Sequence, residues 1–310
     1  MPVIEVRDLV KTYDGRNVVD GVSFTVEQGE IFGIVGPNGA GKTTTVESVE
    51  GIRRPDRGSI RVLGLDPETD RDEITQRVGV QLQESRLPDK VRVGEVLDVY
   101  SSFYRNPADW RGLLERFGLE GKRTARYASL SGGQKQRLSV TLALLGSPEV
   151  AMLDELTTGL DPAARRSTWE TVEQIRSAGV TVVLVTHYMD EAERLCDRIM
   201  VIDHGRVAAI DSPAGLIARA GPEHRITFTP SAVLPDSLLA ELPDVATVDH
   251  EGPRLVVTGT GTVANSVMSL LAERGVVAEG LQIRQRSLED AYLTLTSRDR
   301  GPDEPEPTAD

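Results

Sequence analysis

A chain of 310 residues with 39% hydrophobic side chains can fill one large domain and a smaller one, which excludes general disorder. A net charge of −13 argues against a general nucleic-acid binder, since phosphate backbones select basic surfaces, although an acidic chain can still carry a local basic groove. One cysteine, Cys196, excludes an internal disulfide and suits a reducing compartment, and its neighbours Ala192 and Leu195 suggest a packed helix face rather than a reactive thiol.

The opening Met1-Pro2-Val3-Ile4-Glu5-Val6-Arg7 meets charge at once and does not read as a signal peptide. Apolar runs such as residues 180–185 are far shorter than the roughly 20 residues of a membrane helix. The chain is expected to be soluble, with any membrane part supplied by another chain.

Residues 3–9 and 22–26 read as strands, the second with apolar residues at 22, 24 and 26. Tyr13 falls in the loop between them, beside a Gly15 turn; its ring can stack on an adenine or simply pack, and the residues leave both open. The apolar run 31–35 enters Gly36-Pro37-Asn38-Gly39-Ala40-Gly41-Lys42-Thr43-Thr44 as a buried parallel strand would, and a helix over 43–49 leaves it. The glycines let successive N–H groups point inward, and the helix start adds its positive end, making a concave anion site. In such a loop Lys42 reaches the β- and γ-phosphates and the Thr43 hydroxyl ligates Mg2+. The rival reading is a glycine-rich turn that binds nothing; a Lys-Thr pair behind an apolar strand favours the nucleotide.

A turn-rich connector over 51–59 leads to a strand at 60–63, and residues 78–83 form another short strand with Gln83 at its end. The Gln83 amide can ligate a metal through oxygen and donate to water through nitrogen, a γ-phosphate sensor in place of an ordinary exposed strand end. From 91 to 145 apolar residues recur three and four apart, as in a helical layer inserted into an α/β core. Within it lies Leu130-Ser131-Gly132-Gly133-Gln134, with Ser131 placed as an N-cap and two glycines exposing backbone donors to an anion, followed by the basic turn Lys135-Gln136-Arg137.

Residues 150–155 form a second buried strand ending in Asp154 and Glu155, a pair that is costly unless a cation or a hydrogen-bond network holds it. Strand alternation sends Asp154 towards a magnesium shell and Glu155 towards an attacking water. A turn over 158–162 precedes a helix over 163–178, with Asp161 near its start. The strand 181–186 delivers His187 at its carboxyl end, where open parallel sheets bind ligands, so a γ-phosphate contact is preferred to a structural histidine. Residues 200–207 read as a closing hairpin turning at 203–205.

From Asp211-Ser212-Pro213 the character changes. Strands at 224–229, 245–250, 255–258 and 276–284, with helices at 236–242 and 263–274, give the order β-α-β-β-α-β of a ferredoxin-like module. A last helix over 287–296 precedes a Pro-, Asp- and Glu-rich end expected to be solvated and disordered.

In order and spacing these motifs closely resemble the ATP-binding subunits of ABC transporters, over about residues 1–215. The resemblance implies an α/β P-loop NTPase core as an ATP-binding domain (1–211) with an inserted helical subdomain (about 88–147); the strand order and composition beyond it give a small α+β accessory domain (212–298) and an acidic tail (299–310). It makes Gly36 to Thr44 the Walker A loop, Tyr13 the adenine-stacking aromatic, and Gln83 the Q-loop residue. Ser131, Gly132, Gly133 and Gln134 belong to the signature motif, Asp154 to Walker B, and Glu155 is the catalytic carboxylate. Asp161 is the D-loop aspartate and His187 the switch histidine. Lys42, Gln83, Glu155 and His187 then act in catalysis, and Thr43, Gln83 and Asp154 hold the Mg2+ of MgATP. Leu156 departs from the proline usual after the catalytic carboxylate, leaving the backbone there less fixed.

The family also implies a head-to-tail dimer of two copies closing two ATP molecules, and a separate membrane permease at the cytoplasmic face of a bacterial membrane. No nucleic acid and no metal cluster is expected. Leu156-Thr157-Thr158-Gly159 and Ser287-Leu288-Glu289-Asp290-Ala291-Tyr292-Leu293 resemble the daunorubicin-resistance branch, which implies export of a drug, antibiotic or lipid. An importer-type ATPase and a soluble non-transport ABC ATPase are the alternatives.

Overall fold

The structure is a computed structural model that describes residues 2–81, 87–221 and 224–297. The chain divides into two compact units, Met1–Pro213 and a second that begins at Ala214. The acidic end expected at 299–310 lies outside the described residues.

In the first unit, β1 (Pro2–Tyr13), β2 (Arg16–Glu27), β3 (Ile31–Val35), α1 (Lys42–Val49) and β4 (Arg57–Val62) follow one another. β1, β2 and β4 form an antiparallel sheet in the order β2-β1-β4. Asp14 and Gly15 both have left-handed φ (49° and 76°), the two-residue hairpin turn whose twist suits the flanking strands. So short a turn lets β1 run on, and Tyr13 is its last residue, paired with Arg16, rather than part of a loop.

α2 (Arg71–Arg77) leads into β5 (Val78–Gln81), whose described part stops short of Gln83. With β6 (Val150–Asp154), β7 (Thr181–Thr186), β8 (Arg198–Asp203) and β9 (Arg206–Asp211), it builds a six-stranded sheet ordered β5-β6-β7-β3-β8-β9. Every pair is parallel except β8 with β9, which turn through His204 and Gly205. A parallel sheet is buried on both faces, and β3, β7 and most of β6 are accordingly unbroken apolar or β-branched runs without an exposed residue. Behind β3, Cys196 is 7% exposed with its Sγ against Gly33, and burial drives its thiol far above the usual range.

Between β5 and β6 lie α3 (Val93–Ser101), α4 (Trp110–Arg116) and α5 (Gly132–Ala143). They share a core of their own in which Val93, Leu97, Trp110, Leu114, Leu138 and Leu145 are buried. This is the helical layer anticipated over 91–145. α6 (Pro162–Ser177) and α7 (Met189–Leu195) flank β7, and α8 (Pro213–Arg219) begins where the first unit ends.

The second unit runs β10 (His224–Pro230), α9 (Asp236–Ala240), β11 (Val245–Glu251), β12 (Arg254–Gly259), α10 (Val263–Glu273), β13 (Ala278–Gln285) and α11 (Leu288–Ser297). The sheet order is β11-β12-β10-β13, with every pair antiparallel. One face carries the core, where Ile226, Phe228, Leu255 and Val257 meet Leu239, Val263, Val267 and Leu271. Of the alternate residues on β10 and β12, Arg225 and Arg254 are exposed, Thr227, Thr229 and Thr258 half-buried and Val256 buried, while those of β11 and β13 are mostly exposed. Among the described residues no helix is long and apolar enough to cross a membrane.

Candidate nucleotide site

The neighbouring strands β6, β7 and β3 end side by side, with Val35 in register with Thr186 and Asp154 with Val185. Everything the sequence marks at these three ends therefore meets at one edge of the sheet, where open α/β folds bind ligands.

After β3 the chain passes so close to β8 that a Cβ on Gly36 would stand 2.2 Å from the Ile202 carbonyl oxygen. Gly41, the N-cap of α1, has φ 98°, and a Cβ there would meet the Val18 carbonyl oxygen at 2.5 Å. Glycine is thus required at both positions, by space at one and by space and backbone at the other. No side chain caps α1, which leaves its first N–H groups facing the loop. Lys42 is 5% exposed and its Nζ donates to the carbonyls of Gly36 (2.8 Å) and Pro37 (2.9 Å), so the ammonium lies across the loop. Burial lowers its pKa while Glu155 and Asp154 pull the other way.

Asp154 closes β6, and its backbone N–H donates to Oε1 of the buried Gln81 (3.1 Å). Burial, then the neighbouring Glu155, pushes the Asp154 carboxyl up to about 6, opposed by Lys42. Glu155 lies beyond the strand with φ 49°, a left-handed backbone rare for a residue with a side chain. Strand alternation therefore does not set its direction, contrary to expectation; the left-handed turn does. Its N–H donates to the Val185 carbonyl at 2.9 Å. On the side chain, Oε1 stands 3.2 Å from His187 Nδ1, and Oε2 accepts from the Thr158 hydroxyl at 3.5 Å. Leu156 and Thr157, next along, are both 0% exposed, so packing holds the segment where proline is usual.

Asn38, Gly39, Gly41, Lys42, Thr43, Thr44, Glu155 and Val18 line one hollow of about 180 Å³. Gly36 and Ala40 do not line it: Ala40 is buried, and its carbonyl accepts from Gly205 N–H at 3.0 Å. Tyr13 does not line it. Its hydroxyl accepts from Arg53 (2.7 Å), and Lys11 and Arg53 lie 5.6 and 5.7 Å from its ring centre.

The second glycine string also stands apart from this hollow. Ser131 caps α5 by accepting from Gln134 N–H (3.3 Å), and the Gln134 Oε1 accepts from Ser131 N–H (3.0 Å), a reciprocal box of which the sequence reading foresaw only the first half. Asp161 caps α6, accepting from Ala163 and Ala164 N–H at 2.9 and 3.0 Å, and these bonds lower its pKa. Gly132 and Gly133 face Leu160 and Ala164, bringing the starts of α5 and α6 together. Gln83 lies outside the described residues.

Three residues here escaped the sequence reading. Gln81 sits in an apolar strand where its amide fixes Asp154, and its polarity within that run was the available signal. Val18 lines the hollow from β2 with nothing in the sequence to mark it. Glu50, at the end of α1, is pushed up to about 8 by burial and then by Asp154 and Glu47.

Comparison with known proteins agrees with this geometry. A family model described as ABC transporter matches residues 19–158. The Nod factor export ATP-binding protein I of Paraburkholderia xenovorans (strain LB400) is 40% identical over 303 residues, covering 96% of this chain and 97% of that one. Its namesake from Rhizobium etli (strain ATCC 51251 / DSM 11541 / JCM 21823 / NBRC 15573 / CFN 42) is 38% identical, covering 96% and 95%. Among solved structures, an ATP-binding subunit of an ABC transporter superposes with a TM-score of 0.64 at 29% identity, over 70% of this chain and 92% of that one. A dimeric ATP-binding cassette in a post-hydrolysis state with ADP and Pi shares the fold, with a TM-score of 0.60 at 24% identity over 67% and 98%. The chain belongs to the ATP-binding subunits of ABC transporters.

Proposed function

We propose that this chain is the ATP-hydrolysing subunit of an exporter, driving a drug, antibiotic or lipid through a separate permease from the cytoplasmic face of a bacterial membrane. The observation that carries the ATPase reading is the hollow in which the Lys42 loop faces the Glu155–His187 pair. The export names of the relatives support the direction of transport.

In this reading the N–H groups of the loop and of the start of α1 bind the phosphates, with Lys42 supplying the point charge. Thr43 and Asp154 offer hard oxygen donors of the kind Mg2+ takes, and a cation there would offset the burial, and then the Glu155 charge, that raise the Asp154 pKa. Mg2+, when bound, neutralises charge on the transferring phosphate. Glu155 accepts the proton of the attacking water, and His187 holds that carboxylate in place. Gln83 is the remaining contact assigned to water and metal.

The α5 start with Ser131, Gly132, Gly133 and Gln134 is a second anion cradle outside the hollow of its own chain. A second copy, turned head to tail, would bring that cradle to the γ-phosphate, with Asp161 near the seam and Tyr13 against the adenine. The test is gel filtration of Glu155→Gln with MgATP, followed by co-purification with any membrane protein encoded by a neighbouring gene. A nucleotide-dependent dimer that binds the permease supports the proposal; a strictly monomeric, nucleotide-saturated variant rejects it.

A further inference from the structure

We propose that the open face of the C-terminal sheet binds a small soluble polyanion, a molecule carrying two or more phosphate or carboxylate groups. A hollow of about 620 Å³ lies on this face, and its lining includes Arg225, Arg254, Arg284 and Arg286 against the two carboxylates Glu251 and Asp290. The surplus of positive charge stands out in a chain whose net charge is −13.

Strand register makes the arrangement specific. Arg225 on β10 is directly paired with Arg284 on β13, and on its other side with Thr258 on β12. Thr258 in turn bonds Thr247 on β11 through their hydroxyls (2.8 Å). Like charges placed directly opposite each other across strands repel, and beyond the partial compensation from Glu251 and Asp290 an anion held by both Arg225 and Arg284 would relieve that repulsion. Some of the positive charge is already committed: Arg225 pairs with Glu251, and Arg286 donates to the Ala220 carbonyl. Among the described residues, the side chains of Arg254 and Arg284 make no hydrogen bond or close ion pair, although Arg284 lies near enough to Asp290 to help lower its pKa, and the buried Nδ1 of His224, at the edge of the same hollow, has no partner.

Guanidinium groups present paired N–H donors that match phosphate and carboxylate oxygens, and several arginines on one rigid sheet suit a ligand with several such groups. The volume is that of a small-molecule site, and the polar lining selects charge over apolar bulk. The core face of the sheet is closed by α9 and α10, so the arginines are held on a supported surface rather than a loop.

The test is calorimetric titration of the full-length protein, without magnesium, with citrate and separately with pyrophosphate. The comparison is an Arg254→Ala/Arg284→Ala double variant whose ATPase rate and thermal unfolding show that it is intact. Citrate should bind the wild type and bind the variant about tenfold more weakly or worse. Pyrophosphate also has the phosphate loop available, so the variant should lose one equivalent and keep the other. Equal binding by both proteins, or no citrate or second pyrophosphate site in the wild type, overturns the proposal. Flotation with phosphatidylglycerol vesicles is the remaining arm: arginine-dependent vesicle binding without binding of either soluble anion also overturns it.

Discussion

His187 Nδ1 stands 3.2 Å from Glu155 Oε1, so the residue that follows β7 steadies the carboxylate that follows β6. Removing the charge by Glu155→Gln should leave nucleotide binding in place and lower turnover by about 10²- to 10⁴-fold. His187→Ala should also lower turnover. Because the two act as one unit, the double variant should be little worse than Glu155→Gln alone. Phosphate-release rates and fluorescent-nucleotide titrations of the three variants check this; losses that multiply would separate the two roles.

Gly36→Ala places a methyl 2.2 Å from the Ile202 carbonyl oxygen, where only backbone movement relieves the clash. We expect about 1–3 kcal/mol of destabilisation in urea unfolding, with loss of nucleotide binding. Gly39→Ala is the contrast, since nothing lies within 4 Å and the sole penalty is its left-handed φ of 80°, about 1 kcal/mol.

Glu50 carries a folded pKa of about 8 against an ordinary 4.5, raised first by burial. A raised carboxyl pKa means that the folded state holds the proton more tightly. Its stabilising contribution is therefore complete below pH 4.5 and is lost as pH rises from 4.5 through 8. Glu50→Gln, neutral at every pH, should match the wild type near pH 4.5 and exceed it above pH 8 by about 1–3 kcal/mol, allowing for partial solvation of the site. Thermal unfolding at the two pH values decides; a gain at pH 4.5 alone would reverse the sign.

Glu191 in α7 is fully buried, its Oε1 accepts from Trp169 Nε1 at 3.0 Å, and burial raises its pKa. Glu191→Ala strips the indole N–H of its acceptor and opens a cavity, at a cost of about 2–4 kcal/mol. Glu191→Gln keeps the acceptor oxygen and should cost less than about 1 kcal/mol. Equilibrium unfolding of both variants measures the gap; equal losses would show that the Trp169 bond contributes nothing.

Legibility in the sequence followed the locality of the cause. β7 was read residue for residue, because Thr181–Thr186 is an unbroken β-branched and apolar run ended by a polar residue. The glycine loop before α1 and the Ser131 cap were legible for the same reason, since glycine and capping residues act on their immediate neighbours. β1 and β2 came out longer than expected because their outer parts gain from pairing with each other, which a single strand does not reveal. The turn of Glu155 into left-handed backbone has no local signature, since nothing in a glutamate asks for it; the surrounding packing imposes it. Gln81 did stand out as a polar residue in an apolar run, but its role did not, because its partner Asp154 lies 73 positions away.

The burial of Cys196 against Gly33 bears on how the protein can be studied. A thiol that stays protonated and out of reach is silent towards maleimide dyes and spin labels. The native chain is thus already a clean background for single engineered cysteines. Paired reporters on α5 and on the loop before α1 could test by distance whether two copies meet as proposed when nucleotide is added, with no native residue removed.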